Sequence, residues 1–273
     1  MKRAAFITTL TCGLVSLALS ASASILFQDG FDYPTGGLAG NVNPGSGDTW
    51  GVGNANISVS SGNLTYPGLS DLGGNQLSIV NGSAGTVTNG FIGGASVSSG
   101  SIYYSFLLDC TQLPPGNSYL TSLNPGANPP NGSGDTLTIY ISTATGGFRF
   151  GVRSLASSTV STPSGSPYLT DTTYFVVAQY DFSAGVASLY INPTPGDPQP
   201  AATVSATSVN AATTIDNVGF KSQSTTGGSY LIDNLMIGTT WADVTAQAVP
   251  EPATVALVSI GLAGLLILRR GRR

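Results

Sequence analysis

The chain has no histidine and one glutamate, Glu251. Without histidine there is no Ser-His-Asp or Cys-His relay, no imidazole metal ligand and no side-chain base that titrates near neutral pH. Cysteine is almost missing too. Of the two present, Cys12 lies in an apolar N-terminal run, and Cys110 is then left without an intramolecular partner. Cys110 ends the apolar stretch 102–110, so a buried, inert thiol is expected there. Basic residues are scarce as well. Between positions 24 and 249 they are Arg149, Arg153 and Lys221, against twelve aspartates, a net charge of −9 where the whole chain carries −4. A nucleic-acid partner is excluded on that balance, because phosphate binding needs a basic surface. No glycine-rich loop joins a strand to a helix, so a nucleotide phosphate has no cradle. The acidic surface suits solubility outside the cell.

What is present begins at the two ends. Lys2 and Arg3 precede an apolar run over 4–19, and Ala21-Ser22-Ala23 is a small-residue cleavage site. Residues 1–23 therefore read as a signal peptide for Sec-type export, with Ser24 the first mature residue. At the other end Val249, Pro250, Glu251 and Pro252 precede an uncharged run over 253–268, and Arg269, Arg270, Arg272 and Arg273 follow it. Sixteen residues of helix span roughly 24 Å at about 1.5 Å each, a little short of a ~30 Å hydrocarbon core. Snorkelling arginines make up the difference and place that end in the cytoplasm.

The tail resembles the PEP-CTERM sorting signal, through Val249-Pro250-Glu251-Pro252, the helix with Gly261 and Gly264, and the Arg-rich end. The resemblance covers residues 249–273. It implies an exosortase as partner, cleavage near Pro-Glu-Pro and an inner-membrane-anchored intermediate. Delivery would then be to the cell surface or exopolysaccharide matrix of a Gram-negative bacterium. An ordinary C-terminal anchor with a proline hinge is the plainer alternative.

The middle of the chain, 24–238, lacks long helical periodicity. Short β-branched and aromatic runs alternate with Gly, Ser, Asn and Pro, as in an all-β sandwich. Strands are expected at 25–29, 76–80, 101–109, 136–142, 148–153, 173–182, 186–192, 214–221 and 230–237. A hairpin is expected from 56–60 and 63–66 around Ser61-Gly62. Leu137, Ile139 and Ile141, and Phe148, Phe150 and Val152, mark buried faces. The run 101–109 is apolar on both faces, which suggests a central strand. Residues 239–248 read as a linker to the sorting tail.

Three stretches resemble the concanavalin A-like jelly roll of lectins, laminin-G-type modules and glucanases. They are residues 27–38 with Trp50 beyond them, residues 173–193, and residues 231–244. The resemblance implies a jelly-roll β-sandwich, and it implies fold more than activity. It also implies a place for calcium, where Asp29 and Asp32 on the first strand and its turn could meet Asp233 and Asn234 on the closing strand. Turn and bulge roles for the same residues are the alternative. Glycan contact would fall to loop aromatics: Trp50 and Trp241 first, with Tyr66, Tyr119 and Tyr168 beside them. Packing at the sandwich edge is the competing role for both tryptophans. Glucanases of this fold carry a glutamate cluster that is missing here. The expectation is therefore a non-enzymatic surface or matrix protein, its ectodomain structural or in contact with exopolysaccharide. A hydrolase built on aspartates is the second reading.

Overall fold

Alternating apolar and polar residues become two facing antiparallel sheets. The computed structural model describes residues 25–247 apart from 54, 83–84, 91–95, 127–134, 156–158, 209, 211 and 213. The residues read as the signal cleavage site, Ala21, Ala23 and Ser24, and the tail with Val249 to Pro252 and Arg269 to Arg273, lie outside the described residues. Among those described, no helix is long and apolar enough to cross a membrane.

Fourteen strands are described: β1 Ile25–Asp29, β2 Gly36–Gly37, β3 Ile57–Ser60, β4 Gln76–Val80, β5 Gly85–Gly90, β6 Ser101–Gln112, β7 Asn117–Asn124, β8 Leu137–Ala144, β9 Gly147–Ser154, β10 Thr173–Asp181, β11 Val186–Ile191, β12 Val204–Thr207, β13 Asn217–Ser222 and β14 Ser229–Gly238. A short helix, α1 Trp241–Val244, follows. One sheet has nine strands in the order β12-β11-β10-β6-β14-β4-β3-β2, with β1 also paired to β14. The other has five, β5-β13-β7-β8-β9. The fold is thus the expected all-β sandwich.

The main core lies between the sheets. Ile102, Tyr104, Phe106 and Leu108 of β6 and Val176, Ala178 and Tyr180 of β10 face Leu137, Ile139 and Ile141 of β8 and Phe148, Phe150 and Val152 of β9. The faces marked from sequence are the buried ones. β6 is central, flanked by β10 and β14, and it is apolar on both sides because a second cluster covers its outer face. There Tyr103, Leu107, Phe175, Val177 and Met236 lie beneath Leu64, Leu69, Trp241 and Val244.

That cover explains two departures from the sequence reading. The hairpin of 56–60 with 63–66 does not form, since β3 pairs with β4 instead. The segment 61–75 crosses the sheet, where Tyr66 packs on Phe175 with ring centroids 5.5 Å apart. Burying Leu64, Tyr66 and Leu69 gains more than an isolated pair of short strands could. The stretch 239–248 is also no free linker through its described part. Trp241 and Val244 are buried, Ser70 N–H donates to Ala246 O, and Gly196 N–H donates to Thr245 O. A capping box, with Thr240 and Asp243 bonding each other's backbone N–H groups, starts α1.

The N-terminal loop is tied down by one buried carboxyl group. Asp29 Oδ1 accepts from Phe31 N–H at 2.7 Å. Its Oδ2 accepts from Tyr33 OH at 2.6 Å, Trp50 Nε1 at 2.9 Å and Asn43 Nδ2 at 3.0 Å. The first of these bonds holds Phe31 at a φ of 53°, outside the usual region for such a residue. Trp50 then fills the sandwich end against Phe27, Phe31 and Phe220 at 5.7–6.3 Å. Beside it Gly74, at a φ of +101°, passes so close to Gly30 that a Cβ would sit 2.3 Å from the Gly30 carbonyl oxygen.

Replacing Asp29 by alanine removes an acceptor from four buried donors, of which Asn43 Nδ2 keeps Gln28 O and Trp50 Nε1 keeps Tyr33 OH. The D29A variant is expected to lose about 3 kcal/mol of stability in urea unfolding. Its near-UV circular dichroism from Trp50 should weaken as well. Retention of the wild-type midpoint would show that the loop needs no such anchor.

Candidate functional site

The first and last strands meet, which is the condition the calcium reading required. β1 runs antiparallel to β14 with Asp29 opposite Leu235. The calcium set Asp29, Asp32, Asp233 and Asn234 nevertheless does not assemble. Asp29 spends its oxygens on the four donors described above. Asp233 Oδ2 accepts from Leu64 N–H at 2.8 Å, and its Oδ1 from Asn234 N–H at 2.6 Å. Asn234 Oδ1 accepts from Leu72 N–H at 2.9 Å, and its Nδ2 donates to Ser70 O at 2.9 Å. Asp32 is exposed. Among the described residues no group of three or more Asp, Glu, His or Cys side chains could hold a metal ion. Asp233 and Asn234 instead form a bulge: the β14–β6 register shifts between Asp233 and Met236, and Asn234 has a φ of 53°.

The aromatic expectations separate. Trp50 is 1% exposed and belongs to the core, so it offers sugar no ring face. Tyr119 is buried, Tyr66 lies against Phe175, and Tyr168 packs among Phe148, Phe150 and Tyr174. Trp241 is different. Its ring packs edge-on to Tyr190 at 5.0 Å and Tyr103 at 6.2 Å, and its Nε1 donates to Asp197 O at 2.9 Å. It forms one wall of a cleft of about 490 Å³ shared with Gln199, Pro198 and Thr240. A second cleft of about 330 Å³ runs along the same proline-rich loop, past Tyr190 and Asn192.

Beside Trp241 the outer face of the nine-stranded sheet carries an uncharged polar array that no sequence signal had assembled. Register places Gln179 of β10 opposite Tyr103 of β6 and Ser188 of β11. Gln179 Nε2 donates to Ser101 Oγ at 3.0 Å and Tyr103 OH at 3.2 Å. Gln179 Oε1 accepts from Tyr190 OH at 2.9 Å and Gln199 Nε2 at 2.8 Å. Tyr103 OH donates to Gln199 Oε1 at 3.0 Å, and Gln199 Nε2 also donates to Tyr190 OH. Ser188 and Ser205 hydroxyls bond at 2.8 Å in the next row. Burial raises both tyrosine pKa values, so the phenols stay neutral donors. The rings of Tyr103, Tyr190 and Trp241 are buried, so what the array offers a ligand is its hydroxyl and amide groups, which can hydrogen-bond sugar hydroxyls. One clue was legible: a glutamine inside the apolar run Val176-Val177-Ala178-Gln179 must face outward where nothing covers it.

Two further groups bear on chemistry. Asp109, on the same outer face, has its carboxyl pKa raised by burial and by nearby Asp171. Its Oδ1 has no hydrogen-bond partner among the described residues. Cys110 is buried, and burial pushes its thiol up to about 12, which leaves it unreactive.

Residues 248–273 match the PEP-CTERM protein-sorting motif. The chain is therefore an exported protein, sorted to the cell surface with an exosortase as processing partner. No curated protein matches the chain. Among solved structures it is similar to a sialidase at 16% identity, over 71% of this chain and 17% of that one, with a TM-score of 0.46. It is also similar to the T. cruzi calreticulin globular domain at 12% identity, over 81% and 90% of the two chains, with a TM-score of 0.48. A third likeness is the lectin UEA-II complexed with galactose, at 12% identity over 68% and 90%, with a TM-score of 0.42. The chain spans only 17% of that sialidase, and none of these likenesses transfers an activity.

Asp233 makes the cover over the sheet sensitive to pH. Burial raises its carboxyl pKa to about 7, with Asp71 and Asp29 adding to the shift against the Leu64 and Asn234 N–H bonds. Unfolding releases that proton above the ordinary carboxyl value of 3.8. Stability from this group is therefore full below that value and is lost as pH rises to about 7. The urea midpoint should fall between pH 4.5 and 7.5, and D233N should flatten that fall. An identical pH profile in D233N would remove Asp233 as the cause.

Proposed function

We propose that the exported domain is a non-enzymatic, carbohydrate-contacting module of the cell surface or exopolysaccharide matrix. The observation that carries this reading is the Tyr103–Gln179–Tyr190–Gln199 array beside the Trp241 cleft. Its polar groups are uncharged and fixed by one another, so little side-chain entropy remains to be lost on binding. Sugar hydroxyls could replace the mutual bonds one for one, and the cleft along 196–199 gives a chain room to lie across the edge of the array. The side-chain oxygens of Asp29, Asp233 and Asn234 already accept from protein donors, so this reading does not call on a metal.

Asp109 beside Asp171 favours one second reading. A carboxyl group whose pKa is raised by burial and by a nearby carboxyl group is the kind that acid-assisted glycoside hydrolysis uses. The domain would then be a secreted hydrolase working through aspartates.

Binding of residues 24–249 to the host's exopolysaccharide separates these readings. The expected result is saturable binding that a chelator leaves unchanged. Q179A and Y190F should each weaken it about three- to tenfold, the scale of one or two hydrogen bonds. Release of reducing ends, abolished by D109N, would establish the hydrolase instead. Binding that a chelator abolishes would restore a calcium site. Binding that Q179A and Y190F leave unaltered would place the contact elsewhere.

A further inference from the structure

The three basic residues of the span 24–249 all fall on one surface. In β9, Phe148, Phe150 and Val152 face the core, so Arg149 and Arg153 face outward. In β13, Val218 and Phe220 face the core, so Lys221 faces outward on the same five-stranded sheet. Between them the sheet presents two tyrosines whose rings lie 5.5 Å apart at 35°. The Lys221 ammonium sits 5.1 Å from the Tyr119 centroid, and the Arg153 guanidinium 5.5 Å from that of Tyr140. The result is a ladder of cation, ring, ring and cation across β13, β7, β8 and β9.

Two of these charges, Lys221 and Arg149, are not held by a contacting carboxylate among the described residues, whereas Arg153 is engaged. Among the described residues, no carboxylate lies within ion-pair distance of Lys221 and no acceptor hydrogen-bonds it. Nearby Asp135 takes a 2.5 Å bond from Tyr119 OH. Arg149 donates to two neutral carbonyls, Pro163 O at 2.7 Å and Gly165 O at 2.5 Å, and keeps further N–H donors. Burial lowers the lysine pKa while Asp135 raises it, as expected for a cation partly withdrawn from water without a contacting counter-ion. The opposite sheet shows the reverse polarity, with Asp181 and Asp197 around the uncharged array.

We infer that the outer face of the five-stranded sheet is a second contact surface, selective for a carboxylate-bearing polysaccharide, with Lys221 and Arg149 binding its carboxylates. A polyanion would be repelled by most of the domain's aspartates and can approach it closely only where Lys221 and Arg149 stand, Asp135 there being bonded by Tyr119. Arg153 and the paired tyrosines hold the strand spacing on which the cations sit. The two outer faces then hold different polymers, one uncharged and one acidic, on opposite sides of one sandwich, and the module cross-links them.

The test uses the full chain in an uncharged detergent with R269Q, R270Q, R272Q and R273Q, so that the tail arginines contribute nothing. A fluorescent polygalacturonate oligosaccharide is the probe and an uncharged dextran oligosaccharide its control, read by polarisation. Polygalacturonate should bind, more weakly as salt rises. K221Q and R149Q should each weaken it roughly tenfold, the effect of losing one charge-assisted contact. K221R should restore binding, and Q179A should leave it unchanged, which keeps this surface distinct from the array on the other sheet. If K221Q lowers the melting temperature sharply, R149Q and K221R decide. The inference is overturned if polygalacturonate does not bind at low salt or if both charge variants bind as wild type does. Tighter binding to dextran sulfate or to anionic vesicles would overturn the assignment to carboxylates.

Discussion

The closing strand holds this sandwich together. β14 pairs with β6 on one side, and on the other with β4 over its first half and β1 over its second. The bulge at Asp233–Asn234 falls between the stretch that pairs with β4 and the stretch that pairs with β1, and it shifts the register of β14 against β6, with Asn234 at a positive φ. The side chains freed from the ladder bond Leu64, Ser70 and Leu72, and so pin the segment that covers the sheet. A defect in the pairing is thus the fastening of the third layer.

That layer divides the outer face in two. Toward β14 the face is apolar and covered by Leu64, Leu69, Trp241 and Val244. Toward β12 it is polar, and Gln179, Ser188 and their neighbours remain in reach of solvent or ligand. Trp241 stands at the boundary, packed on Tyr190 from one side and open to a cleft on the other. The five-stranded sheet has a different chemistry, with every cation of the 24–249 span on its outer side. A narrow sandwich of low charge thereby offers two unlike surfaces without any catalytic group that histidine or glutamate would provide.

Strands with strong alternation were legible because their partners do not change the pattern. β8 and β9 carry Leu137, Ile139 and Ile141 and Phe148, Phe150 and Val152 at alternate positions, and β10 follows the same period with Tyr174, Val176, Ala178 and Tyr180. β7 was not legible. Its buried Ser118, Thr121, Ser122 and Asn124 read as loop until Asn81, Tyr104, Gly219 and Tyr119 supply their hydrogen bonds. β12 is a four-residue edge strand recognisable only through β11. Residues 63–66 had the composition of a strand and became a cover, since burial over Phe175 outweighs local propensity.

By itself the sequence determined the sorting motif at the C-terminal end, the all-β class, the inward face of most strands and the exclusion of histidine chemistry. Those properties are local: they depend on composition and on a period of two residues. Only the tertiary structure decided which polar side chains meet. Asp29 and Asp233 look alike as turn aspartates, yet one anchors Trp50 and the other clasps Leu64. Gln179 and Gln199 are twenty residues apart and share no motif, yet strand register and the proline-rich loop set them 2.8 Å from one another. Hydrogen bonds act over about 3 Å in space, whatever the distance along the chain.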